Sequence, residues 1–342
     1  MRPFSTAFLA NNPAASITLG LDVFVQLVMA AIRTEPVPIL AFFLEVVSIL
    51  TDLAESCRVL PNPFSVTGRC KALKNSRFRF GSSIRSCGRL GPATHSESPL
   101  VIGEQLLCTP GGAAGSVIAL NKKTGALLWR STELTDAAAY SSLIIAKIAG
   151  TPQVIVFTGA HVAGLAPATG KVLWSVPRDG RTAVAPTPVC KDDCVFVTSG
   201  YGAGCNLFKI TRTGEVFKAD AVYANKEMVN HHGGVVMVGT NVYGFSDGKG
   251  WVCLDFKTGQ GIWESKKLGK GTLLAAADHL YLRSETGGML VLLTATPSGW
   301  QETGRFSQPN LSGKNTWAHL VISGGKLFVR DQDVLICYNI KK

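Results

Sequence analysis

No CxxC pair occurs in this 342-residue chain, no apolar run is long enough to span a membrane, and one forty-residue stretch contains no acidic residue. Each absence excludes something. Without CxxC spacing, the nine cysteines offer neither a zinc knuckle nor a thioredoxin-like pair. Cys190 and Cys194 flank Lys-Asp-Asp as they would across a hairpin turn. A disulfide and two small apolar strand residues are both open there, the second being the simpler reading. The runs 19–32 and 37–50 are interrupted by Asp22, Arg33, Glu35 and Glu45, short of the roughly 18 apolar residues of a spanning helix. Membrane-associated helices within residues 15–52 remain one reading of this region. Arg2 is the only early positive charge, and a polar stretch at Asn11 and Asn12 breaks the shape of a secretory signal.

The formal charge of +11 would ordinarily point to nucleic acid or an anionic membrane. Its distribution removes that inference. Residues 56–95 hold eight Lys and Arg and no Asp or Glu, and the remainder is balanced much like an ordinary soluble domain. No nucleic-acid partner is expected. The same forty residues show neither a period of 2 nor one of 3.6. They read either as a basic linker or as a stretch translated from a wrong start or frame; the second reading explains both the missing period and the missing acids. The chain thus divides into residues 1–95, unpatterned or partly helical, and residues 96–342.

What is abundant is glycine, thirty-six residues spread along the chain, and an internal repeat. Val117 to Trp129 (VIALNKKTGALLW) returns as Val162 to Trp174 and as Trp251 to Trp263. Each copy sets Thr-Gly at one distance before Trp: Thr124, Gly125 and Trp129; Thr169, Gly170 and Trp174; Thr258, Gly259 and Trp263. A degenerate copy carries Thr213, Gly214 and Phe217, another has Leu290 to Leu293 with Ser298-Gly299, and the last is Val334 to Cys337. About six copies at a spacing near 45 residues are recognisable. Alternating apolar residues make a strand with a buried face, and Asn or Asp before Thr-Gly makes a tight turn in which glycine takes positive φ. Upstream strands are legible at 153–157, 194–198, 279–283 and 326–330. Such a unit cannot bury both faces alone, so copies must stack. The fold class is all-β, a β-propeller.

The pattern Ala-Leu-Asn/Asp-x-x-Thr-Gly-x-x-x-Trp resembles the repeat of pyrroloquinoline-quinone (PQQ)-type propellers, in which that tryptophan packs between adjacent blades. Residues 96–342 resemble a bacterial family of PQQ-like propeller proteins through segments such as Asn230-His-His-Gly-Gly234, Gly244-Phe-Ser-Asp-Gly248 and Asp331-Gln-Asp-Val-Leu335. Phe217 takes the tryptophan position in one copy. Relatives usually carry further blades before the point matching Ser96, which implies an incomplete ring with exposed edges. The resemblance also implies an extracytoplasmic place, periplasm or cell envelope. Two functional branches follow from it: quinoprotein alcohol or sugar dehydrogenases, using PQQ with Ca2+, and non-catalytic platforms such as outer-membrane assembly lipoproteins, with protein partners on the propeller face. The dehydrogenases usually show an adjacent Cys-Cys pair, which is missing here. A third branch is a truncated or frame-damaged member of the family. The platform reading is preferred, and no cofactor is assigned.

Few residues stand out as a site. His231-His232 followed by Gly233-Gly234 fits a loop at the propeller mouth, because neighbouring histidines on a strand would face opposite ways. With Trp317 and His319 they are the candidate ligand-binding residues. Gly200-Tyr-Gly-Ala-Gly204 has the glycines of a phosphate loop but no Lys-Ser/Thr, and reads as a strand-end turn. Asp255, Asp331 and Asp333 read as turn residues or solvated charges.

Overall fold

The computed structural model describes residues 59–60, 97–180 and 184–341. The apolar runs, the membrane reading of 15–52 and the basic stretch 56–95, except Val59 and Leu60, lie outside the described residues. No described helix is long and apolar enough to cross a membrane.

A two-residue strand, β1 (Val59–Leu60), is followed by five complete four-stranded sheets and three further strands. The first sheet is β2 (Leu100–Ile102), β3 (Gln105–Cys108), β4 (Ile118–Asn121) and β5 (Leu127–Arg130). The second is β6 (Ile144–Ile148), β7 (Thr151–Phe157), β8 (His161–Leu165) and β9 (Val172–Pro177). The third is β10 (Val189–Lys191), β11 (Cys194–Ser199), β12 (Gly204–Thr213) and β13 (Val216–Asn225). The fourth is β14 (Val235–Val238), β15 (Asn241–Ser246), β16 (Gly250–Asp255) and β17 (Gly261–Ser265). The fifth is β18 (Gly271–Ala276), β19 (His279–Ser284), β20 (Met289–Thr294) and β21 (Glu302–Ser307). The sixth holds β22 (Val321–Ser323), β23 (Lys326–Asp331) and β24 (Val334–Asn339), with β1 as its fourth strand, parallel to β24 through Val59 opposite Cys337. Within the first five sheets neighbours in sequence pair antiparallel, the meander of a propeller blade.

Alternation sorts each blade's side chains onto two faces. In the second blade Val154, Val156, Ala163 and Leu165 pack with Leu107, Val117 and Ala119 of the first. Ile155, Phe157 and Val162 pack instead with Val195, Val197, Phe208 and Ile210 of the third. Both faces are therefore apolar, and full burial contributes roughly 1.5–3 kcal/mol per large side chain. Cys190 packs on the core shared by the second and third blades and Cys194 on the core shared by the third and fourth, on opposite faces of the hairpin, and both are free thiols. The disulfide reading is corrected by that pleat.

The Thr-Gly and Trp of the repeat turn out to be coupled across blades. Trp129, Trp174 and Trp263 stand opposite the small residues Ala119, Gly164 and Cys253, each beside a β-bulge. The indole N–H of Trp129 donates to Pro167 O (3.1 Å) in the next blade's turn, and that of Trp263 to Thr296 O (3.0 Å). A methyl on Gly170 would sit 2.3 Å from the Trp129 ring, so the turn glycine, at φ +71°, doubles as the indole's seat. In the third blade Phe217 does not hold this place, contrary to the sequence reading. The bulge puts Tyr223 there, opposite Leu207, with its hydroxyl donating to Phe256 O (2.8 Å) and its ring over Gly259. The reason is length: the β12–β13 hairpin has two ten-residue strands, and Gly214 at its tip seats no ring, unlike Gly170 and Gly259. Trp174 consequently takes Gln153 Oε1 of its own blade as acceptor (2.6 Å).

Candidate functional site

In an antiparallel four-stranded blade, the link from the last strand to the next blade and the turn between the second and third strands emerge at the same end. That topology gathers Tyr201 (turn β11–β12), His231 and His232 (link β13–β14), Asp247 (turn β15–β16), Lys270 (link β17–β18), Glu285 (turn β19–β20), and Trp317 and His319 (link β21–β22) on one face. All four candidates from the sequence are in this set. They touch one another. Ring centroids run Tyr201 to His231 at 4.8 Å, His231 to His232 at 5.0 Å and His232 to Trp317 at 5.5 Å. The Nε2 atom of His319 lies 3.3 Å from His232 O.

Two charged groups tie the row together. Glu285 Oε2 lies 2.9 Å from His232 Nε2 and accepts the indole N–H of Trp317 at 3.0 Å. Lys270 Nζ bridges Asp247 Oδ1 (2.9 Å) and His231 Nδ1 (2.7 Å). Burial pushes His232 down to about 4, against the pull of Glu285. Its Nδ1 is buried and has no partner among the described residues, so a second ring proton would be stranded there. His231 is also lowered, by burial and then by the charge of Lys270. Both shifts favour the neutral imidazole.

The loops are held from beneath. Asn230, fully buried, donates to Gly234 O (3.0 Å) and Phe245 O (2.9 Å) and accepts from Gly234 N (3.0 Å), closing the His-His loop on itself. A methyl on Gly233 would meet Gly271 O at 1.9 Å, where the link to β14 meets the start of β18. Gly233→Ala is expected to cost about 1–3 kcal/mol, since a backbone carbonyl cannot step aside; urea denaturation monitored by circular dichroism measures it. Asp331 holds the loop carrying Trp317. Its carboxylate accepts from Ser312 Oγ (2.5 Å) and N (3.2 Å), Thr316 Oγ1 (3.0 Å) and Gln308 Nε2 (3.0 Å), with Arg283 at 3.5 Å. Asp331 is buried, not solvated as its sequence position suggested, because the link β21–β22 folds over it. Asp255 is a turn residue, accepting from Thr258 N and Oγ1. Residues 200–203 form the β11–β12 turn that presents Tyr201.

Tyr201, Asp247, Lys270, Glu285 and Asn230 were not singled out from the sequence. One signal could have found them: each occupies a link or a second-to-third-strand turn of the repeat phase, the same end as His231. The cluster is a poor match for Ca2+, which takes about six to eight oxygens. Its two carboxylates are both engaged by neighbours, and no group of three or more metal-ligating residues occurs among the described residues. No step through a quinone or calcium is derived.

A family model described as outer membrane protein assembly factor BamB matches residues 88–265, more than half of the chain. The chain belongs to this family. Tyr201, His231, His232 and Asp247 of the BamB-family chain lie inside the matched residues; Lys270, Glu285, Trp317 and His319 lie beyond them. No curated protein matches. Among solved structures, the computationally designed Ika8 protein is similar at 11% identity and a TM-score of 0.54, over 71% of this chain and 70% of Ika8. That likeness shows the fold. BamB from Moraxella catarrhalis aligns at 17% identity and a TM-score of 0.39, over 69% of this chain and 81% of its own. A Bacteroides caccae protein of unknown function aligns at 13% and 0.40, over 66% and 82%.

Proposed function

We propose that the protein is a non-catalytic binding platform for a protein partner, and that the face carrying Tyr201, His231, His232 and Trp317 is where the partner docks. The observation that carries this reading is the ring row. Its two ends are open to solvent, Trp317 at 60% and Tyr201 at 56% exposure, while its middle is clamped by Glu285 and Lys270. Exposed Trp and Tyr on preorganised loops have the composition of interface hot spots, where a few aromatics supply most of the affinity. Preorganisation also lowers the ordering cost of binding. The family's name links its namesake to outer-membrane protein assembly; carried to this chain, the name supports a place in the cell envelope and a partner in that machinery. Residues 96–342 would be the working unit of the platform.

The test places a photo-crosslinking amino acid at position 317 and, as control, at position 216, which is 71% exposed at the start of β13, at the opposite end of the blades. A discrete adduct from 317 alone, identified by mass spectrometry as an outer-membrane assembly component, is expected. Equal labelling from both positions, or none from 317, would overturn the reading.

A further inference from the structure

Among the described residues, Glu285 is a carboxylate with no Lys or Arg partner. Its two partners, the indole N–H of Trp317 and His232 Nε2, both converge on Oε2, and no Lys or Arg pairs with it among the described residues. His232 does not neutralise it: a doubly protonated ring would strand a buried Nδ1–H. Lys270, the nearby cation, is already shared between Asp247 and His231. Among the described residues, Asp247, Lys270 and Glu285 therefore leave one negative charge without a paired cation, and it resides beside Trp317. The second oxygen of Glu285, Oε1, accepts nothing from the described residues, and the adjoining indole is largely exposed.

An open carboxylate oxygen next to an exposed indole face suits one chemical class. A guanidinium or ammonium group can stack on the ring while bonding to the carboxylate, and the two attractions reinforce each other. We propose that Glu285 and Trp317 form a receptor for an Arg or Lys side chain of the partner polypeptide. This rests on the platform reading and adds to it the chemistry of the partner's anchor residue. Indole donation to Glu285 fixes the ring plane and keeps the carboxylate at its edge. The His232 ring, its centroid 5.5 Å from the indole, packs against it. An acidic or wholly apolar anchor would leave Glu285 opposed or desolvated without compensation.

The test titrates the full chain with N-acetyl-arginine amide, N-acetyl-lysine amide and the uncharged N-acetyl-norleucine amide at about pH 7.5, where unperturbed histidine is neutral, and at constant ionic strength. The reporter is the Trp317 indole N–H resonance, assigned with Trp317→Phe. A saturable shift is expected from both cationic amides, with the norleucine amide binding about fivefold or more weakly. Glu285→Gln keeps an acceptor for the indole and removes the charge; it is expected to erase the preference for arginine while the other indole resonances stay in place. Equal response to the norleucine amide, no saturable shift, or unchanged arginine preference in Glu285→Gln would each overturn the proposal. The two readings fail separately. Cross-linking at 317 without cation preference leaves the platform and removes the receptor, whereas cation preference without cross-linking does the reverse.

Discussion

Asp331→Asn is expected to cost about 3–5 kcal/mol of folding stability, the loss seen when one member of a buried ion pair is removed. The two side chains are almost completely buried, and Arg283 reaches the carboxylate both directly at 3.5 Å and through Gln308. Gln308 accepts from Arg283 Nη2 (2.7 Å) and Nε (3.0 Å) and donates to Asp331, so it relays between the charges. Asparagine would leave the guanidinium uncompensated in a site where Arg283 Nη1 already has no partner among the described residues. Burial raises the Asp331 pKa, but bonds from Ser312 and Thr316 and the charge of Arg283 outweigh it and hold the carboxyl below its ordinary value. The sign follows from linkage: a depressed carboxylate contributes its stability above the unfolded value, about 4, and loses it as pH falls through the lower folded value. Urea midpoints of wild type and Asp331→Asn should therefore converge on acidification. A constant gap down to strongly acidic pH would show that the charge is not what stabilises the loop. Because that loop presents Trp317, the variant should also make the indole more accessible to acrylamide.

Trp174→Ala is expected to be comparably severe, about 3–5 kcal/mol, and clearly worse than the same change at Trp129. Trp174 is 5% exposed and lies in the core shared by the second and third blades, while Trp129 is only partly buried. Its indole N–H also satisfies Gln153 Oε1 inside the blade, so alanine leaves a cavity and an orphaned buried acceptor together. Trp174→Phe separates the two effects. It fills most of the space but leaves Gln153 Oε1 without its indole donor, which should cost about 1–3 kcal/mol. Chemical denaturation of the three variants checks the order, and a Trp174→Ala cost no larger than that of Trp129→Ala would refute the account of the displaced hairpin.

That hairpin shows how far the sequence could be read. The phase of the Thr-Gly turns and the apolar alternation lead directly to four-stranded blades, because a period of 2 and a turn needing positive φ are local properties. Phe217 misled for a nonlocal reason. Counting from Thr213-Gly214 assumes that every hairpin has one length, but β12 and β13 are longer, and register is set by the bulge at Leu207 and the neighbouring blade. His231, His232, Trp317 and His319 could be noticed as residue types out of place in a repeat. Glu285 and Lys270 do not stand out by residue type; the repeat phase places them at the right end of the blades, but a single charged residue in a turn gains meaning only once its partners are known.

By itself the sequence determined the all-β class, the number and phase of the repeat copies, and the fixed spacing from each Thr-Gly turn to its large aromatic, all carried by spacings within one blade. Only the tertiary structure decided that Tyr223 fills the tryptophan's place, that Asp331 is buried, and that loops from four blades form one cluster. Those facts depend on which residues from different blades come within a few ångströms, and both burial and charge compensation are properties of that packing, not of any segment taken alone.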